Sequence, residues 1–229
     1  MTDASSALQT LERDIREIFG GRLQSLVHYG AHAHKAASHH RHGHHGQHEP
    51  ALVHALAVVD TLTAADLGAC AGRITAWHDE GLATPLVMPA SELHRSLDVF
   101  PFELSAIIAD HVVVAGRNPF DGLRVEPNDL RWACEVQARG HLLHLRQGYV
   151  EARGRDDALS VLIVRSAPAW KSLLENMARL ETKAAVADDV TRLVGVKEIT
   201  NEEAVRIFPA YLDAVEQLTK HVDTWTAAR

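Results

Sequence analysis

The sequence predicts an α+β protein: a small mixed-sheet domain followed by an α-helical bundle. Three observations lead there. Between residues 23 and 115, short apolar or β-branched runs alternate with short segments of helical period. Residues 117–122 read Arg-Asn-Pro-Phe-Asp-Gly, which is turn chemistry. Beyond them the pattern changes to long segments of helical period with polar starts. The expected division is an α/β domain over 1–122 and a helical bundle over 123–229, with no internal repeat.

Leu8, Leu11, Ile15, Ile18 and Phe19 recur at three-to-four spacing, an amphipathic helix stopped by Gly20-Gly21. Residues 23–29 follow as a strand, and 52–59 as a largely apolar strand suited to a sheet interior. Thr63-Ala64-Ala65-Asp66 starts a helix expected to run through Leu67, Cys70, Ile74 and Trp77 to Gly81. A third strand occupies 84–88, closed by Pro89, and Ser91-Glu92-Leu93 opens another helical piece. The run 99–108 fits either a strand or a helix beginning at Pro101 and is read as a strand. Residues 111–115 make a strand ending at Gly116. In the bundle, Asn128-Asp129 caps a long helix and Asp156 caps a second, with Pro168 as a kink. A third, shorter helix spans 184–193. Thr200-Asn201-Glu202-Glu203 opens a fourth, which Pro209 would kink or interrupt.

A chain of 229 residues can bury a sizeable core, and 46% hydrophobic with 23% charged residues is ordinary for a soluble globular protein. A formal charge of −7 disfavours nucleic acid and anionic membranes as partners. The sixteen histidines qualify this, because adding their charges to −7 gives +9 on acidification. Cys70 and Cys134, far apart, make no disulfide framework and suit a reducing cytosol. The first residues lack a basic start followed by an apolar run, and no segment approaches the roughly 18 apolar residues of a spanning helix. The expectation is a cytoplasmic, bacterial-type protein with no membrane partner.

At residues 23–59 the order of elements meets particular residues. A helix, then Leu23-x-Ser25-Leu26-Val27-x-Tyr29-Gly30, then a connection and the apolar Leu56-Ala57-Val58-Val59, resembles the DNA polymerase beta-like nucleotidyltransferase superfamily. Small bacterial members of that superfamily pair such a domain with a helical bundle. The resemblance implies a strand ending in Gly-Ser, an Asp-x-Asp opening the next strand and a third carboxylate later. The glycine lets the backbone approach a nucleoside triphosphate, and the carboxylates hold two Mg2+ ions that bridge the phosphates. Gly30 matches the glycine, but Ala31 stands in place of the serine, and Val53-His54-Ala55 stands where the aspartates belong. Glu103 is the best-placed substitute for the third acid, and Asp98 is the other. The expected consequence is a catalytically degenerate site acting in ligand binding or regulation. An active enzyme would instead move a nucleotidyl group from an NTP to a small molecule or protein, with Gly30 and Ala31 at the phosphates and Glu103 among the metal ligands.

Between the two strands lie His32, His34, His39, His40, His42, His44, His45 and His48. Neutral imidazole suits Zn2+ or Ni2+, and with His54 these residues could make a nitrogen-based site or a pH-responsive element. They could equally bind metals adventitiously, as a solvated polyhistidine does, and His54 could be a buried structural histidine. On the long bundle helix Cys134, Gln137, His141, His144 and Gly148 form a polar stripe, read either as packing against the α/β domain or as facing a ligand cleft. Arg139 and His144 also fit the spacing of helical ribonuclease-like domains that accompany these nucleotidyltransferases. Trp77, Trp132, Trp170 and Trp225 read as packing anchors, and Asp156-Asp157 and Asp188-Asp189 as acids at helix starts. Expected partners are a small-molecule ligand or a protein, with homo-oligomerisation left open.

Overall fold

The computed structural model describes residues 4–30, 52–180 and 188–226. It is an α+β protein, a four-stranded mixed sheet with short helices followed by long helices, and it falls into two compact units, Met1–Val125 and Glu126–Arg229. Among the described residues, no helix is long and apolar enough to cross a membrane.

In the first unit, helix α1 (Ala4–Phe19) leads into strand β1 (Leu23–Tyr29). Strand β2 (His54–Val59) is followed by helices α2 (Ala64–Ala71) and α3 (Ile74–Asp79), strand β3 (Leu86–Pro89), helices α4 (Ala90–Arg95) and α5 (Pro101–Ala109), and strand β4 (His111–Gly116). The strand order is β3-β2-β1-β4. Strand β1 runs antiparallel to β2 and β4, and β2 pairs parallel with β3. A parallel pair needs a crossover, which α2 and α3 supply.

Strand β2 is apolar from Ala55 to Val59, where both faces are covered. Ala55, Ala57 and Val59 join Leu11, Ile15 and Phe19 of α1 and Trp77 of α3 in one cluster. Leu56 and Val58, on the opposite face, join Val27, Leu93, Leu104, Ile107 and Phe120 in another. Asp14 is buried at 2% exposure in the first cluster, where its carboxylate accepts from Trp77 Nε1 at 3.0 Å and from the Arg13 guanidinium at 3.1 Å.

Two elements of this unit differ from expectation. The single helix expected over 63–81 is two, broken at Gly72-Arg73. Its start is as expected: Thr63 accepts from the Asp66 N–H while Asp66 accepts from the Thr63 N–H, a capping box. Arg22 grips Asp66 with two bonds of 2.7 and 2.8 Å, and this, with Thr63, holds the Asp66 carboxyl well below the usual range. The segment 99–108, expected as a strand, is helical from Pro101 onward. Proline at the first helical position has φ preset and gives up a donor that would be unpaired anyway. Leu104 and Ile107, three residues apart, then face the core.

The second unit contains helices α6 (Pro127–Ala152), α7 (Asp156–Ala178), α8 (Asp188–Thr191) and α9 (Asn201–Thr224). Helices α6, α7 and α9 pack on one another. The cap of α6 is Glu126 with Pro127 behind it, not Asn128-Asp129, and that of α7 is Arg155, with Asp156 and Asp157 in the first turn. Thr200 caps α9 as expected, accepting from the Glu203 N–H at 3.2 Å. Both α7 and α9 continue through their prolines, Pro168 and Pro209. The part of the expected third helix before residue 188 lies outside the described residues. Trp77 and Trp170 are core residues, whereas Trp132 is 62% exposed and anchors nothing in the described core.

Part of the polar stripe of α6, Cys134, Gln137 and His141, is engaged within the bundle itself. Gln137 donates to Ser172 at 3.0 Å and accepts from Asn176 at 3.0 Å, both on α7. His141 Nε2 lies 2.8 Å from the Tyr211 hydroxyl, which is 3.1 Å from Ser166 Oγ. Ser166 spends its own proton on the Ile163 carbonyl at 2.8 Å, so the consistent chain runs from His141 N–H to Tyr211 O–H to Ser166. Cys134, fully buried, has its thiol pushed up to about 12 by burial. His144 is exposed, and Arg139 is held by Glu135 at 2.8 Å and Asp223 at 3.0 Å.

Burial, aided by the His144 charge, pulls His141 down to about 4, from an ordinary value near 6.5. Between those two pH values the unfolded chain takes up a proton that the folded chain refuses, so stability falls as pH falls through that window. The loss by pH 4 is about 3 kcal/mol for this residue. Urea midpoints measured from pH 7.5 to 4 should decline with that slope, and His141→Gln should flatten it. An unchanged slope in the variant would assign the acid sensitivity to other groups.

Candidate functional site

Three strand ends meet where the sequence places its glycine. Tyr29, the last residue of β1, pairs with His54 at the start of β2 on one side and with His111 at the start of β4 on the other. Gly30 follows with φ of +71°, and its N–H donates to the Asp110 carbonyl at 2.9 Å. A Cβ at Gly30 would meet none of the described residues within 4 Å, and the backbone angle by itself favours glycine here. Tyr29 and His54, which bracket the histidine-rich segment in sequence, therefore lie side by side in the sheet.

The side chains at this edge are imidazoles and a phenol. The His54 and Tyr29 rings lie 5.6 Å apart, tilted by 34°, and both residues are half-buried. Burial raises the Tyr29 phenol above its ordinary range. His111 is a clasp: its Nδ1–H donates to the Ile108 carbonyl at 3.0 Å, and its Nε2 lies 3.2 Å from Asn118 Oδ1. Its ring meets Phe120 edge-on at 4.8 Å. These contacts tie the end of α5 to the turn after β4.

Glu103 is not at this edge. It lies exposed in the first turn of α5, where the helix dipole favours a carboxylate, about 10 Å along the axis from Asp110. Asp98 is exposed in the preceding turn. The carboxylate-bearing residue that does meet Gly30 through its main chain is Asp110. It immediately precedes the β-branched run of β4. Ala31 and His32, His34, His39, His40, His42, His44, His45 and His48 lie outside the described residues. Among the described residues, no three His, Cys, Asp or Glu side chains cluster as a metal site would require.

No family model matches the chain, and no curated protein matches it. Among solved structures, a spectinomycin adenyltransferase from Enterococcus faecialis, determined with ATP and spectinomycin, is similar over 97% of this chain and 100% of that one, at 10% identity and a TM-score of 0.42.

Proposed function

We propose that the protein is a nucleotidyltransferase-like module that binds a ligand or regulates a partner, and that it does not transfer nucleotidyl groups by the two-metal route. The observation that carries this reading is the apolar pair Val53 and Ala55, both buried, at the two positions flanking His54 where the resemblance calls for aspartates. Mg2+ is a hard cation that takes charged oxygen ligands; two apolar side chains supply none, and the imidazole between them is the wrong donor type. Among the described residues, Asp110 is the carboxylate-bearing residue bonded to Gly30, and it would bring one negative charge to a task that needs several. The donor set of the described residues at this edge therefore does not fit a magnesium pair bridging a triphosphate.

Thermal unfolding with ATP, GTP, CTP and UTP, each with and without Mg2+, tests this. The expected result is a midpoint that Mg2+ moves by no more than about 1 °C. A surviving transferase site near saturation would gain about 2.7 kcal/mol, or roughly 5 °C or more for a chain of this size. A Mg2+-dependent rise of that order would instead support an active transferase.

A further inference from the structure

The opposite end of the sheet holds a polar cavity of about 580 Å3, remote along β1 from Gly30. Its floor is the start of β1. Gln24 is bulged out of the β1–β2 ladder, because Leu23 pairs with Val59 while Ser25 pairs with Val58. Bulges of this kind bend a strand and re-aim its side chains. On the other side β4 closes against the same residue. Gly116 has φ of +79°, and a Cβ there would lie 2.0 Å from the Gln24 carbonyl oxygen. The Arg117 N–H donates to that oxygen at 3.4 Å. The walls are Asp60, which follows β2, and Arg117, Asn118 and Asp121, which follow β4.

The polar groups are held in place from behind. Asp60 accepts from the Gln24 side-chain amide. Asp121 accepts from Asn118 Nδ2 at 2.8 Å, while Asn118 Oδ1 accepts from the Phe120 N–H at 3.1 Å. A carboxylate that accepts one such bond still has lone pairs for a ligand. Among the described residues lining the cavity, Arg117 is the one cation, and Asp60 and Asp121 are the anions. A phosphate dianion would find Arg117 but face two carboxylates. A simple amine would find the carboxylates but face the guanidinium. A molecule carrying both signs satisfies all three, and Arg117 presents the planar fork that a carboxylate fits.

We propose that this cavity binds a small zwitterion of the α-amino-acid class, its carboxylate on Arg117 and its ammonium between Asp60 and Asp121. The volume leaves room for a side chain beyond those two groups. This site is independent of the Gly30 edge and of any nucleotide chemistry there.

The test is thermal unfolding of the full chain with each of the common L-α-amino acids at millimolar concentration. At least one should raise the midpoint by about 4 °C or more, while its N-acetyl derivative and its amide, each lacking one charge, should not. Calorimetry with that amino acid should show Arg117→Gln weakening binding about tenfold or more, with Asp60→Asn combined with Asp121→Asn doing the same. Arg117 is exposed, so its variant should fold, and the unliganded midpoint checks that it has. Glu92→Gln, an exposed position away from the cavity lining, should leave the affinity unchanged. The proposal is overturned if none of the amino acids shifts the midpoint, if Arg117→Gln binds as tightly as the parent, or if the uncharged derivatives bind as well.

Discussion

Gly116→Val should abolish the folded sheet, with a loss exceeding about 4 kcal/mol. Two causes act together. The residue sits at φ of +79°, where a β-branched side chain is strained by about 1–3 kcal/mol. The new Cβ would also lie 2.0 Å from the Gln24 carbonyl oxygen and 3.0 Å from the Ser25 Cα, both main-chain atoms held by the β1–β4 ladder. A flexible side chain could move aside; the ladder cannot without giving up its pairing. Gly30→Ala is the control. It has a comparable φ of +71° but no described residue within 4 Å of the new Cβ, so it should cost about 1–2 kcal/mol. Urea unfolding of the two variants should differ by at least a factor of two in stability lost. Equal losses would mean that backbone conformation alone, and not close approach, fixes glycine at position 116.

Trp170→Ala should destabilise the bundle by about 3–5 kcal/mol. The indole is fully buried, donates from Nε1 to the Val190 carbonyl at 3.1 Å, meets the Tyr211 ring edge-on at 5.3 Å and stacks on His141 at 6.1 Å. Truncation leaves a large cavity beside the His141–Tyr211–Ser166 chain and an unpaired carbonyl at Val190. Trp132→Ala, made on an indole that is 62% exposed, should change stability by no more than about 0.5 kcal/mol. Denaturation midpoints of both variants check the pair. Comparable losses would place Trp132 in a buried contact.

What could be read from the sequence followed from patterns that survive packing. The spacing of Leu11, Ile15 and Phe19 marked α1, and the unbroken apolar run through Ala55–Val59 marked a strand covered on both faces. Thr63 and Thr200 marked helix starts through the hydrogen bonds their hydroxyls accept. The failures have physical causes too. Pro101 is compatible with a strand edge or with the first turn of a helix, and only the burial of Leu104 and Ile107 on one face decides between them. The α2–α3 break at Gly72 interrupts an apolar periodicity that runs on across it. Gln137 and His141 were read as facing the α/β domain or a ligand cleft, yet Ser172, Asn176 and Tyr211 satisfy them from neighbouring helices of the bundle. Those partners lie 35 to 70 residues away, beyond any local pattern.

The candidate site divides in the same way. The strands that carry Gly30 and His54 were legible as short apolar runs, and β1 and β2 do pair there. Asp110 was not, because its position depends on where α5 ends. The cavity at Gln24, Asp60 and Arg117 had no local signal at all. It is assembled from the ends of three strands and depends on a bulge that shifts one residue of register.

The proposed function requires that the edge around Gly30 lack the carboxylates that would hold two divalent ions. The most direct test is the electron paramagnetic resonance spectrum of Mn2+, standing in for Mg2+, titrated with ATP in the presence and absence of the protein. The account predicts that the Mn2+–ATP signal is the same with protein as without it. Protein-dependent loss of the free signal that is abolished by Asp110→Asn would contradict the account and establish a carboxylate metal site beside Gly30.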